Sequence, residues 1–92
     1  MPKDNCTVAR EVHALLLSAH PHAGDTKLAK AAELASIAIE AISLESSRSQ
    51  QETLLAVQTA RKAIESKASA ATGQHLLLDA VRIAEKWVRA AC

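Results

Sequence analysis

The sequence predicts an all-α fold, either a four-helix antiparallel bundle or two stacked helical hairpins, and three observations support this. Twenty of the 92 residues are alanine, which has the best helix propensity. Phe and Tyr are missing, so Trp87 is the single aromatic residue. Apolar residues recur at intervals of three and four along most of the chain. At this length we expect one domain, residues 1–92, with a modest core.

The first predicted helix runs from Asn5 or Cys6 to about Ala19. Asp4 or Asn5 can cap it by accepting hydrogen bonds from its first backbone N–H groups. Pro21 is expected to end this helix, because the residue before a proline is pushed out of the helical region.

The second predicted helix begins after an N-cap at Asp25 and runs to about Glu45. It carries two apolar stripes, and so broad an apolar face can contact more than one neighbour. The first stripe is Leu28, Ala31, Ala35, Ala38 and Ile42, with Ile39 beside it, and the second is Leu34, Ile37, Ala41 and Leu44. The second stripe is therefore the predicted surface for a partner.

A break is predicted at 46–48, because residues 45–53 contain no aliphatic side chain. The segment Ser49 to Glu52 also fits a capping box, in which each side chain bonds the other residue's backbone N–H. The alternative is a three-helix fold with one long central helix, since neither Gly nor Pro occurs within 25–71.

The third predicted helix runs from about Gln50 to Ala71, and Gly73 is the left-handed residue expected to end it. The fourth runs from about Gln74 to Ala91. The apolar stripe of the third is Leu54, Val57, Ile64, Ala68 and Ala71, and the inward residues of the fourth are Leu77, Ala80, Ala84, Trp87 and Ala91.

The two predicted hairpins, approximately residues 5–45 and 50–91, resemble each other. A shift of 49 residues aligns Gly24 with Gly73 and brings the flanking apolar residues into register. This favours two stacked hairpins related by an internal repeat, of natural or engineered origin.

Three segments, AAELA at 31–35, TARKAIE at 59–65 and DAVRIAEKW at 79–87, resemble stretches of computationally designed helical-bundle and helical-repeat proteins. The resemblance covers the second to fourth helices and is one of style. It implies a scaffold or binder that has no native pathway.

His13, His20 and His22 are the candidate metal ligands, because neutral imidazoles bind zinc and other transition metals. Asp25 could add an oxygen ligand. The seven-residue gap between His13 and His20, however, separates them by about 10 Å along the helix. It is not the i, i+4 spacing at which two histidines of one helix bind the same ion. The competing interpretation is solvated histidines at a helix end.

The two cysteines, Cys6 and Cys92, lie near opposite ends of the chain. An even number of antiparallel helices brings both ends together, which permits a disulfide. A reducing cytosol argues against one, so two ordinary thiols are the favoured interpretation. Cys6 is a poor candidate nucleophile, because His13 is two turns away.

Two features of the fourth helix admit a functional and a structural interpretation. Arg82, Lys86 and Arg89 form a basic stripe, which could bind phosphate or an acidic partner. Asp79 and Glu85 partly neutralise this stripe, which favours the alternative of a solvated helix face. Trp87 is interpreted as the main core anchor, with a partner contact as the alternative.

These patterns predict a non-enzymatic protein-interaction or scaffold module, whose partner is a second copy of the chain or another protein. The candidate anchors are Trp87, Leu34, Ile37 and Leu44. Net charge +1 argues against nucleic acid, and the lack of a long apolar segment or signal peptide suggests a cytoplasmic location without membrane contact. The alternatives are a metal-binding bundle using the three histidines and a small-molecule site beside Trp87.

Overall fold

The computed structural model describes residues 4–24, 28–42, 48–66 and 70–92, and these form four α-helices. The helices are α1 (Asn5–Gly24), α2 (Leu28–Ile42), α3 (Arg48–Glu65) and α4 (Ala70–Ala91). The all-α prediction is confirmed. The alternative with one long central helix is wrong, because α2 and α3 are separate helices that pack against each other.

The four helices close into a ring in which each packs against two neighbours. Consecutive helices are in contact, and α4 returns to pack on α1 in the most extensive contact of the bundle. The Cα radius of gyration is 12.2 Å, close to the value of about 12 Å expected for a compact chain of this length. The arrangement is therefore a closed four-helix bundle rather than two hairpins that merely stack.

The core consists mainly of alanine, with a few larger side chains between the helices. Alanine at these positions lets the helix axes approach closely, so the larger residues fill what space remains. The fully buried alanines are Ala9, Ala19, Ala31, Ala35, Ala38, Ala60, Ala80 and Ala84, and the largest buried apolar side chains are Trp87, Leu16, Ile42 and Leu77.

Asp4 caps the start of α1. Its Oδ1 atom accepts a hydrogen bond of 2.7 Å from the backbone N–H of Thr7, which confirms one of the two predicted caps. This backbone hydrogen bond, a second one from the Thr7 side chain and the charge of Arg10 hold the pKa of the Asp4 carboxyl below its ordinary value. Asn5 is thereby left for a different role, in the contact with α4.

The prediction that Pro21 ends α1 is wrong, since the helix continues through Pro21 to Gly24. Pro21 lies in the last turn, so its ring removes a single backbone bond, the one to the Leu17 carbonyl. The Leu17 side chain is exposed, which places this part of α1 on an outer face where water can hydrate that carbonyl.

The boundary predicted around Gly73 is also wrong. α3 already ends at Glu65, and Gly73 is buried inside α4. A Cβ atom on Gly73 would lie 3.3 Å from the Cγ1 atom of Ile64, so glycine is used here for close approach of α4 to α3. Ala71, predicted in the third helix, is an exposed residue of α4, while Ala68 lies outside the described residues.

The start of α3 differs from the predicted capping box. α3 begins at Arg48, so Ser49 is already helical, and its carbonyl accepts a 2.8 Å hydrogen bond from the Thr53 hydroxyl. The Glu52 carboxylate lies 3.6 Å from Nε of Arg48. The predicted cap at Asp25 and the predicted break at 46–48 fall mainly outside the described residues.

The two hairpins do not share a single register. In α2 and α4 the shift of 49 residues pairs buried positions with buried positions, whereas in α1 and α3 a shift of 48 does so. A difference of one residue corresponds to a rotation of about 100° about the helix axis. Residues of α1 and α3 that the 49-residue shift aligns therefore do not both face the core. The matching buried pairs are Ala31 with Ala80 and Ala35 with Ala84, and then Ala9 with Val57, Val12 with Ala60 and Leu16 with Ile64.

Substitution of Gly73 distinguishes close approach from a helix end. In Gly73→Ala, a gain in helix propensity of about 1 kcal/mol opposes the tight contact with Ile64. We therefore expect the free energy of unfolding to change by less than about 1 kcal/mol in urea denaturation. Gly73→Leu should lower it by about 1–3 kcal/mol through overpacking. Equal losses in the two variants would instead indicate a left-handed backbone, in which any Cβ atom is strained.

Candidate functional site

Trp87 belongs to the core and is 1% exposed. Its indole Nε1–H donates a 3.1 Å hydrogen bond to the Oδ1 atom of Asn5, which links the end of α4 to the start of α1. The core interpretation of Trp87 is confirmed. Its use as a partner anchor is wrong, because a side chain so completely covered offers no surface for another molecule.

Cys6 and Cys92 form a disulfide between the first turn of α1 and the residue after α4, with their Cα atoms 5.1 Å apart. The expectation that both ends of the chain meet is confirmed. The favoured interpretation of two ordinary thiols is wrong, because the close α1–α4 contact brings the two cysteines within bonding range. A bonded Cys6 cannot act as a nucleophile.

Reduction of the disulfide should lower the thermal stability of the bundle. The two cysteines are 86 residues apart, and the entropy of closing such a loop corresponds to about 4–5 kcal/mol. We expect a lower melting temperature with reductant in circular dichroism. The matched control is the double variant Cys6→Ser with Cys92→Ser. It should have the melting temperature of the reduced chain, and reductant should not change that temperature. An unchanged melting temperature of the reduced native chain would contradict the structural role of the bond.

The bond between Asn5 and Trp87 can be isolated by a double-mutant cycle. Asn5→Ala leaves the buried indole N–H without this acceptor, which should lower the free energy of unfolding by about 1–3 kcal/mol. In a Trp87→Phe background there is no indole N–H, so the same substitution should cost much less. Urea unfolding of the four proteins measures both costs. Equal costs in the two backgrounds would mean that the hydrogen bond contributes nothing.

The three candidate metal ligands, His13, His20 and His22, all lie on α1 and are half-buried. Within the described ranges, no three His, Cys, Asp or Glu side chains come close enough to hold a metal ion. Asp25, the proposed fourth ligand, lies outside those ranges. A metal site at these histidines stays a prediction that no contact in the described residues supports.

The basic side chains of α4 are exposed, as expected for a solvated face. Arg82, Lys86 and Arg89 all lie on the outside, and Nη2 of Arg89 is 2.7 Å from Oε1 of Glu85. Such exposed pairs within one helix contribute little free energy and need no ligand to explain them.

The second apolar stripe of α2 is only partly available to a partner. Leu34 is half-buried against the core, while Ile37 is 43% exposed. Leu44, the third candidate anchor on this helix, lies outside the described residues. In the described part of the stripe, Leu34 and Ala41 pack against the bundle's own core and Ile37 is exposed.

An apolar groove between α3 and α4 is the surface that the sequence analysis missed. It has a volume of roughly 410 Å³, and Leu55 on its edge is 65% exposed, more than Leu17 or Ile37. The lining residues are Leu55, Ala56 and Thr59 with Glu52 from α3, and Leu76 and Ile83 with Asp79 from α4.

The groove follows from the side chains that face it. Leu55 lies off the buried stripe of α3, on the side of the helix that turns outward toward α4. Ala56 is too small to fill the space between the two helices, so the larger Leu76 and Ile83 form an apolar wall. A clue was present in the sequence, because the adjacent leucines 54 and 55 point about 100° apart and cannot both lie at the centre of one core face.

A second groove, between α2 and α3, is smaller and more polar. It has a volume of roughly 260 Å³ and is lined by Ile39, Gln58 and three charged side chains. Two of these, Arg61 and Glu65, form an ion pair of 3.0 Å with each other. The α3–α4 groove is the better candidate site, because it is larger and its lining is mostly apolar.

Comparisons with protein-family models, with curated proteins and with solved structures found no match. No helix in the described part of the chain is both long and apolar enough to cross a membrane.

Proposed function

We propose that this chain is a non-enzymatic interaction module that binds an apolar helix of another protein in the groove between α3 and α4. The observation that carries the proposal is the exposure of Leu55 beside the apolar wall of Leu76 and Ile83. An amphipathic helix laid into such a groove is a recurrent mode of peptide recognition.

The free energy for binding would come from covering these aliphatic side chains. Complete burial of one leucine is worth about 1.5–3 kcal/mol, and a few well-covered anchors commonly supply most of the affinity of an interface. Among the apolar side chains that line the groove, Leu55 has the most exposed surface left to cover.

The same groove would serve a scaffold or binder of engineered origin. The resemblance of 31–35, 59–65 and 79–87 to designed helical proteins therefore stays part of this proposal. Neither the buried Trp87 nor the separated histidines favour the small-molecule or metal-binding alternatives.

The proposal also concerns the compartment in which the module works. The sequence predicted a cytoplasmic location, and free thiols were expected there because cytosolic proteins rarely keep disulfides. The bond between Cys6 and Cys92 supports an oxidising compartment instead.

The groove is tested with a displayed library of amphipathic helical peptides, panned on the native chain. We expect the selected peptides to lose about tenfold in affinity on Leu55→Asp, because a carboxylate at the groove edge opposes apolar contact. The matched control is Leu17→Asp, which changes an exposed leucine of α1 outside the groove and should leave binding intact. If no selected peptide distinguishes the two variants, the proposal is wrong.

A further inference from the structure

We infer that the partner helix carries two basic side chains about six residues apart, one on each flank of its apolar stripe, which pair with Glu52 and Asp79. This inference rests on the proposed function, because it names the chemistry of the partner that the same groove accepts. Three features of the groove support it: the charge of the lining, the exposure of the two carboxylates and the distance between them.

The groove lining contains two ionisable side chains, and both are carboxylates. Glu52 belongs to α3 and Asp79 to α4, so each wall contributes one negative charge to an otherwise apolar surface. A partner helix seated between the walls would bring its own flanking side chains against these carboxylates. Charge complementarity then favours lysine or arginine at those flanks over acidic residues.

Both carboxylates remain accessible to a partner. The side chain of Glu52 is 60% exposed and that of Asp79 is 44% exposed. Their present neighbours are Nε of Arg48 at 3.6 Å from Glu52 and Nε2 of His75 at 3.5 Å from Asp79. Such exposed i,i+4 contacts are worth little, so a partner's cation can replace or join them.

The spacing of the carboxylates along the groove follows from the contact between Gly73 and Ile64. Because α3 and α4 are antiparallel, this contact sets Asp79 opposite position 58 of α3, six residues beyond Glu52. Six residues of α-helix span about 9 Å. On a partner helix lying along the groove, basic residues at i and i+6 match this distance, and they lie about 120° apart, on opposite flanks of the apolar stripe that faces the groove.

A second copy of the chain is a poorer occupant of this groove. In a symmetric dimer the groove would meet a second copy of itself, whose ionisable lining side chains are again carboxylates. Like charges at a closing interface oppose association.

The inference is tested with three synthetic helical peptides that share one leucine stripe and differ only at two positions six apart, one on each flank of the stripe. These positions carry lysine, glutamine or glutamate, and binding is measured by fluorescence anisotropy at low and high salt. We expect the lysine peptide to bind about tenfold more tightly than the glutamate peptide at low salt. The preference should shrink in high salt and in the double variant Glu52→Gln with Asp79→Asn.

A matched control is Glu33→Gln, which removes an exposed carboxylate of α2 outside the groove and should leave the preference unchanged. If the three peptides bind equally well and all lose affinity on Leu55→Asp, the inference about charge is overturned while the groove stands. If none binds, or binding does not depend on Leu55, the inference and the proposed function both fall. Self-association of the chain that Leu55→Asp abolishes would replace the partner helix by a second copy.

Discussion

The contact between α1 and α4 is the one on which the rest of the structure depends, because it turns a row of helices into a closed ring. It is the most extensive helix contact, and it joins the two ends of the chain. Trp87 contributes its large buried surface and a hydrogen bond to Asn5, and the disulfide lies at the same end of the bundle. Trp87 thus places the bulkiest buried side chain of the described residues at this contact, in a core otherwise built mainly of alanine.

The small size of many side chains between the helices also explains the groove. Alanine and glycine let helix axes approach closely where they face each other, as Gly73 does beside Ile64. At the rim of α3 and α4, however, the small Ala56 leaves space open beneath the exposed Leu55. The features that make the interior tight thus leave an unfilled apolar surface outside, on which two carboxylates remain within reach of solvent and of a partner's cations.

Helical periodicity predicted the four helices and most of the buried side chains, among them Trp87 and the alanine stripe of α2. It misjudged Pro21 and Gly73, because both predictions used local backbone preference where position and packing decide the outcome. Pro21 is tolerated in a last turn near solvent, and Gly73 is required by a neighbouring side chain. Neither the disulfide nor the groove could be predicted firmly, since each depends on the distance between helices far apart in sequence.

The bond between Cys6 and Cys92 makes nearly the whole chain a covalent ring. A single cut anywhere in the backbone between these two residues leaves one connected molecule, with both pieces still held at their original ends. Proteolytic nicking of a connection between helices would then release no fragment while the bond is oxidised. Because the same bond holds residues 6 and 92 close together, a short peptide linker could join the old ends of the chain in a circular permutant whose new termini are opened between two helices.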